Sequence, residues 1–169
     1  MEQKQILSLL VHNHPGVLLR ITGLFTRRGF NIDSLTVSPS QDGAFSRMTI
    51  MIRGDSATVV QVIRQVKKIA DVKRVELVPR EQASCGELLL LKINAAPPQR
   101  PALLKKALAH HAAVVDIGPH SMTLQACALP EELDELVSHF VQDGVLELAR
   151  TGLTALQAGD ACLRAEESL

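Results

Sequence analysis

Hydrophobic positions along the chain recur with two periods that alternate in a set order. Gln5 to Val11 predicts a strand. Pro15 then stands where a first helical turn begins, a place that tolerates its missing N–H. Val17, Ile21, Leu24 and Arg28, with Leu18 and Phe25 beside them, predict one apolar helical stripe, ended by Gly29. Residues 30–37 predict a second strand, and Ser38-Pro39-Ser40-Gln41-Asp42-Gly43 a turn. Met48, Ile50 and Ile52 alternate with Arg47, Thr49, Met51 and Arg53, the mark of a strand with one buried face. Asp55 or Ser56 can cap a helix carrying Val59, Val62, Ile63, Val66 and Ile69. Asp71 to Val78 closes the unit as a fourth strand, so the order is βαββαβ.

The second half repeats that order without close residue identity. Glu87 to Ile93 predicts a strand, and Pro97, Pro98 and Pro101 lead into a helix carrying Leu104 and Leu108. Ala112 to Ile117 and Ser121 to Ala128 predict strands joined by Gly118-Pro119-His120. Pro130 opens a helix with Leu133, Leu136, Val137, Phe140 and Val141 on one face, and Val145 to Arg150 predicts the last strand. A βαββαβ unit folds as an antiparallel sheet with both helices on one face. The expected class is therefore α+β, with two ferredoxin-like domains. The first covers 1–79, a linker covers 80–85, the second domain covers 86–152, and 153–169 form a poorly ordered tail.

Composition narrows the function. The 169 residues balance 18 basic against 18 acidic side chains, with no Trp or Tyr and four Phe. A neutral chain without a basic stripe or stacking aromatics is poorly suited to nucleic acid. Apolar runs such as Leu88 to Leu91 are far shorter than the roughly 18 residues that span a bilayer, so no membrane partner is expected. The first residues carry no signal-peptide pattern, and Cys85, Cys127 and Cys162 form no CxxC pair, which fits reduced thiols in the cytoplasm.

The junction after the first strand holds the most informative chemistry: Val11-His12-Asn13-His14-Pro15-Gly16-Val17-Leu18. A helix N-terminus presents unpaired N–H groups that can hold a carboxylate. Gly16 admits a close approach to the backbone. Asn13 offers a donor and an acceptor, which suits a zwitterion. The same pattern also fits an ordinary helix after a strand, and the residues alone leave both readings open.

Asn13 to Leu18, then Gly23-Leu24-Phe25-Thr26-Arg27-Arg28-Gly29-Phe30-Asn31-Ile32, resembles the ACT domain of acetolactate synthase small subunits. Ser34-Leu35-Thr36-Val37, Ser46-Arg47-Met48-Thr49-Ile50 and, near the other end, Ala149-Arg150-Thr151-Gly152 with Gly159 continue the similarity over roughly residues 5–160. The stretch Ala96–Leu129 matches only loosely. The resemblance implies a non-catalytic regulatory subunit of branched-chain amino acid biosynthesis. It implies a homodimer through side-by-side ACT domains, with valine as effector between them. It places the effector site on Asn13, His14, Pro15, Gly16, Val17 and Leu18, with Asn31 and Ile32. It implies a large catalytic partner subunit, activated by this chain and made valine-sensitive by it. Thiamine diphosphate, magnesium and FAD would belong to that partner and no cofactor to this chain. His12 and His14 depart from the family, standing where acidic residues are common.

Other chemistry is thin. His12 and His14 can share one face of a strand end, but no Cys or third His accompanies them as a metal set. His110-His111 follow a helix and are expected in solvent. Arg27-Arg28 fit either a partner or phosphate contact, or a charge match at a helix end. Asp33 and Asp116 stand as isolated carboxylates in strands. No GxGxxG, Walker, GxSxG or HExxH motif is present. A freestanding ACT-type sensor and a small ferredoxin-like enzyme are the competing classes. The purified chain alone is expected to turn over no pyruvate, and turnover free of contaminating large subunit would contradict a non-catalytic role.

Overall fold

The computed structural model describes residues 3–41 and 43–164. The chain divides into two units, Gly86–Gly152 and the remainder on either side of it.

The first unit begins with β1 (Gln3–His12), α1 (Val17–Arg27), β2 (Ile32–Pro39), β3 (Phe45–Gly54), α2 (Ser56–Val66) and β4 (Val72–Val78). Its antiparallel sheet has the order β2-β3-β1-β4. Leu7 faces Ile50 and Leu9 faces Met48 across β1 and β3, and their side chains join Val17, Ile21, Phe25, Val59, Val62 and Val66 in one core. The end of α1 is a Schellman motif. Gly29 takes a positive φ of 72°, its N–H bonds Thr26 and the N–H of Phe30 bonds Phe25. The rings of Phe25 and Phe30 meet edge to face, the apolar contact that such an ending favours. The Asp55 side chain caps α2 by accepting from the Thr58 N–H at 2.8 Å.

The second unit holds most of β5 (Ala83–Asn94), then α3 (Arg100–Ala109), β6 (Ala113–Ile117), β7 (Ser121–Ala128), α4 (Pro130–Phe140) and β8 (Val145–Arg150). Its strand order β6-β7-β5-β8 repeats that of the first sheet. Leu89, Leu91, Ile93, Met122, Leu124, Leu133, Leu136 and Phe140 build its core. Arg150 closes it, reaching Glu87 at 2.7 Å and also Asp134. Its hydrogen bond with Glu87 holds the guanidinium above its ordinary pKa against the opposing effect of burial. Glu87 also accepts from the Gly152 N–H.

Four expectations are corrected. The buried stripe of α1 is Val17, Ile21 and Phe25; Leu24 is half-buried and Leu18 and Arg28 are exposed. In α3 the core takes Leu103 and Ala107, while Leu104 and Leu108 face outward, Leu108 at 71% exposure. Adjacent apolar pairs at 103–104 and 107–108 make the period compatible with either phase. The sheet selects the phase that sets a small Ala against it. Residues 80–85 are not a plain linker: a 3-10 turn spans Arg80–Gln82 and β5 starts at Ala83.

The largest correction concerns the C-terminus. Residues 165–169 of the expected tail lie outside the described residues. Thr154–Gln157, however, form β9, which pairs with β5. Leu153 and Ala155 pack on Ile6, Met51 and Val78, on the face of the first sheet away from its helices. Thr36 donates to the Leu153 carbonyl at 3.2 Å, and Leu153 N–H to Ser34 Oγ at 3.4 Å. Arg47 reaches Ser8 Oγ at 2.7 Å and the Ala155 carbonyl at 3.1 Å. Burial pushes the Arg47 pKa below its ordinary value, against the opposing charge of Glu76. With this cover, the middle of β3 from Met48 to Ile52 is buried on both faces, Thr49 and Met51 included. Leu153, 3% exposed, is expected to cost about 2–5 kcal/mol when replaced by Ala. Leu108→Ala should stay within about 0.5 kcal/mol. Urea unfolding followed by circular dichroism separates the two.

Candidate functional site

The turn after β1 is tied down by three hydrogen bonds to two segments. His12 N–H bonds the Asp71 carbonyl at 2.9 Å, and Asn13 N–H the Ala44 carbonyl at 3.0 Å. The Asn13 side-chain amide donates to the Gly43 carbonyl at 3.0 Å, leaving its Oδ1 as an acceptor at the surface. Gly16 sits at the N-cap of α1 with φ 88°, a conformation that disfavours any side chain. No side chain caps α1 and no acidic residue stands in its first turn. The first helical bond is Arg20 N–H to Gly16 carbonyl. Among the described residues the N–H groups of Leu18 and Leu19 meet no acceptor. This helix end therefore offers donors and a partial positive charge to an anion.

A carboxylate not singled out in the sequence organises the flank. Asp71, just ahead of β4 and 14% exposed, takes His14 Nε2 on one oxygen at 2.9 Å and Arg20 Nε on the other at 2.7 Å. Burial pushes its carboxyl up, but hydrogen bonds from Arg20 and His14, with their charges, outweigh that and hold it below the ordinary value. Arg20 Nη1 lies 3.8 Å from where a Cβ on Gly16 would stand, so a guanidinium overhangs the turn. His12 stacks on Phe45 at 5.2 Å. Local spacing could not reveal Asp71, which is 57 residues from His14.

The predicted site residues fall into two groups. Asn13, His14, Pro15, Gly16, Val17 and Leu18 gather at one end of the sheet. Val17 is buried in the core, and the others are exposed. Asn31 and Ile32 lie at the other end, because Ile32 pairs with Ile52 and so stands level with Gln5, whereas His12 pairs with Phe45. Seven residues of strand separate those levels, roughly 23 Å. Asn31 lines an open cleft of about 760 Å³ with Gly29, Phe30, Asp33, Arg53 and Thr58. Asp33 is not isolated: it takes Arg53 Nε at 2.7 Å and the Asn31 amide at 3.3 Å. Arg28 donates to Gln65 at 3.3 Å. His110 is half-buried and His111 exposed, and the His110 ring faces that of His139 at 4.5 Å. Among the described residues no group of three or more His, Cys, Asp or Glu is gathered to hold a metal, and no helix is long and apolar enough to cross a membrane.

The first unit, a βαββαβ sheet whose first helix begins uncapped behind a glycine turn, is an ACT-type module by its match to that domain. Residues 7–74 match the AHAS small subunit-like ACT domain, and residues 86–159 match the small subunit of acetolactate synthase. A probable acetolactate synthase small subunit of Archaeoglobus fulgidus is 36% identical over 157 residues, 93% of this chain and 98% of that protein. The small subunit of Haemophilus influenzae is 34% identical over 158 residues, covering 93% and 97%. The crystal structure of the Thermotoga maritima small subunit superposes with a TM-score of 0.87 at 28% identity, covering 94% and 99%. The chain belongs to the family of acetolactate synthase small subunits.

The cap at the cleft gives a pH test. The Thr58 N–H holds the Asp55 carboxyl below its ordinary value. A depressed folded-state pKa contributes stability that is present above the unfolded value of about 4 and lost as pH falls through the folded one. The stability gap between the parent and Asp55→Ala should therefore be widest above that pH and narrow on acidification. A gap constant with pH in chemical unfolding would contradict the charged cap.

Proposed function

We propose that this chain binds a branched-chain amino acid, valine foremost, at the turn Asn13–Leu18, and so regulates a thiamine-diphosphate-dependent catalytic subunit that it also activates. The observation that carries the reading is the uncapped start of α1 behind Gly16, with Arg20 overhanging it. The effector carboxylate meets the helix N-terminus, Asn13 Oδ1 receives the ammonium, and exposed Leu18 and Leu19 offer apolar surface to the isopropyl group. The thiamine diphosphate, magnesium and FAD of the reaction stay with the partner, and the complex works in the cytoplasm.

Asn31 and Ile32 enter this site from a second copy. One chain holds them at the wrong end of its sheet. A two-fold axis beside the edge strand β2 reverses the second sheet, which carries its Asn31 toward the first copy's turn. Pairing there also satisfies the open N–H and C=O row of β2.

Burying an isopropyl group contributes about 1.5–3 kcal/mol, and each charge-assisted hydrogen bond about as much. Against the entropy of capture, the dissociation constant should lie on the order of 10 μM to 1 mM. In the reconstituted holoenzyme Gly16→Asp should abolish inhibition by valine. Gly16→Ala, which shares the backbone strain but not the charge, should weaken it less. Asn31→Ala should weaken it about tenfold. Gly16→Asp and Asn31→Ala variants that activate the large subunit and stay as valine-sensitive as the parent would place the effector elsewhere. Sedimentation should show at least a dimer at micromolar concentration, and a monomer with and without valine would contradict the shared site.

A further inference from the structure

Both ring nitrogens of His14 face acceptors. Nε2 lies 2.9 Å from Asp71 Oδ1, and Nδ1 lies 3.1 Å from the Pro15 carbonyl oxygen. A carboxylate and a backbone carbonyl have no proton to give. A neutral imidazole carries one N–H, so it satisfies one of these oxygens and turns a lone pair toward the other. The imidazolium donates to both. Among the described residues, the other titratable groups facing the ring are Arg20 on α1, which takes the second Asp71 oxygen, and His12 on β1, whose ring centroid is 6.3 Å away.

The second bond matters because of what Pro15 is joined to. The Pro15 carbonyl and the Gly16 N–H belong to one planar peptide, so fixing the carbonyl fixes the direction of that N–H. Asp71 thus reaches the turn by three routes: its own carbonyl to the His12 N–H, and its carboxylate to His14 and to Arg20. Resting on the reading of this turn as the effector site, we propose that His14 is a protonation-dependent latch. As an imidazolium it ties the Pro15–Gly16 peptide to Asp71, which acts as the positioning residue of the site.

The sign follows from the donors. The latched turn is the protonated one, so effector affinity is higher at acid pH and falls when the ring gives up its second proton. Wherever affinity depends on pH in this way, binding draws a proton onto the protein. Free branched-chain amino acids remain zwitterions from mildly acid to mildly alkaline pH, so the pH dependence belongs to the chain.

The test is calorimetric titration of the full-length chain with valine, leucine and isoleucine at about pH 5.5 and 8, in buffers of different ionisation enthalpy, with thermal melts as a check on folding. The parent should bind about 3- to 10-fold more tightly at the lower pH, with net proton uptake. His14→Gln keeps one donor but cannot gain a proton, so it should bind with an affinity that does not change with pH and without proton uptake. Asp71→Asn should bind more weakly at both pH values and lose most of the pH dependence. Should Asp71→Asn fail to fold, His14→Gln decides alone. Equal pH dependence in the parent and His14→Gln, with binding abolished in Gly16→Asp, would overturn the latch and leave the effector site standing. Unchanged binding in Gly16→Asp, or no binding of any of the three amino acids by the parent, would remove the site and the latch together.

Discussion

The structure of the first unit depends on burying β1 on both of its faces. Leu7, Leu9 and Val11 point into the helical core, and Ile6, Ser8 and Leu10 point the other way, yet all six are buried. One face is covered by α1 and α2. The other receives Leu153 and Ala155, which pack on Ile6. Bonded on both edges as well, to β3 and β4, β1 is a rigid central strand. The turn at Asn13–Gly16 is its direct continuation. A ligand site needs backbone donors held in place, and this strand supplies the anchorage that an exposed loop would lack.

The same arrangement gives the C-terminal segment a purpose. The chain leaves the first unit, builds the second, and returns through Leu153 to the outer face of the first sheet. The residues that receive it, Ser34, Thr36 and Arg47, lie on β2 and β3. Strand β2 also begins with the Asn31 end of the proposed effector site. The motif Ala149-Arg150-Thr151-Gly152 marks the end of the second unit: Arg150 and Gly152 both bond Glu87, and Thr151 bonds Leu88.

Strand and helix positions were legible because each element follows one period over many residues, and the Pro-Gly turn was legible because its residue types are rare together. The phase of a helix was harder. Leu103-Leu104 and Ala107-Leu108 offer two equivalent stripes, and only the sheet beneath chooses between them. The return of residues 153–157 was invisible, since its burial rests on two side chains whose partners lie about a hundred residues earlier. Asp71 looked like the first residue of a strand. Its role exists only because antiparallel pairing of β1 and β4 brings it beside His12 and His14. The separation of Asn13 from Asn31 was likewise hidden, because sequence proximity says nothing about which end of a sheet each occupies.

The central claim is that each effector site takes its turn from one copy and its Asn31 from another. Mixing Gly16→Asp chains with Asn31→Ala chains, unfolding and refolding them together, and titrating with valine tests it directly. A shared site predicts that mixed dimers regain one intact site each, so that about one chain in four shows parent affinity although neither variant does alone. A mixture that binds only as the sum of its two separate variants would contradict the account.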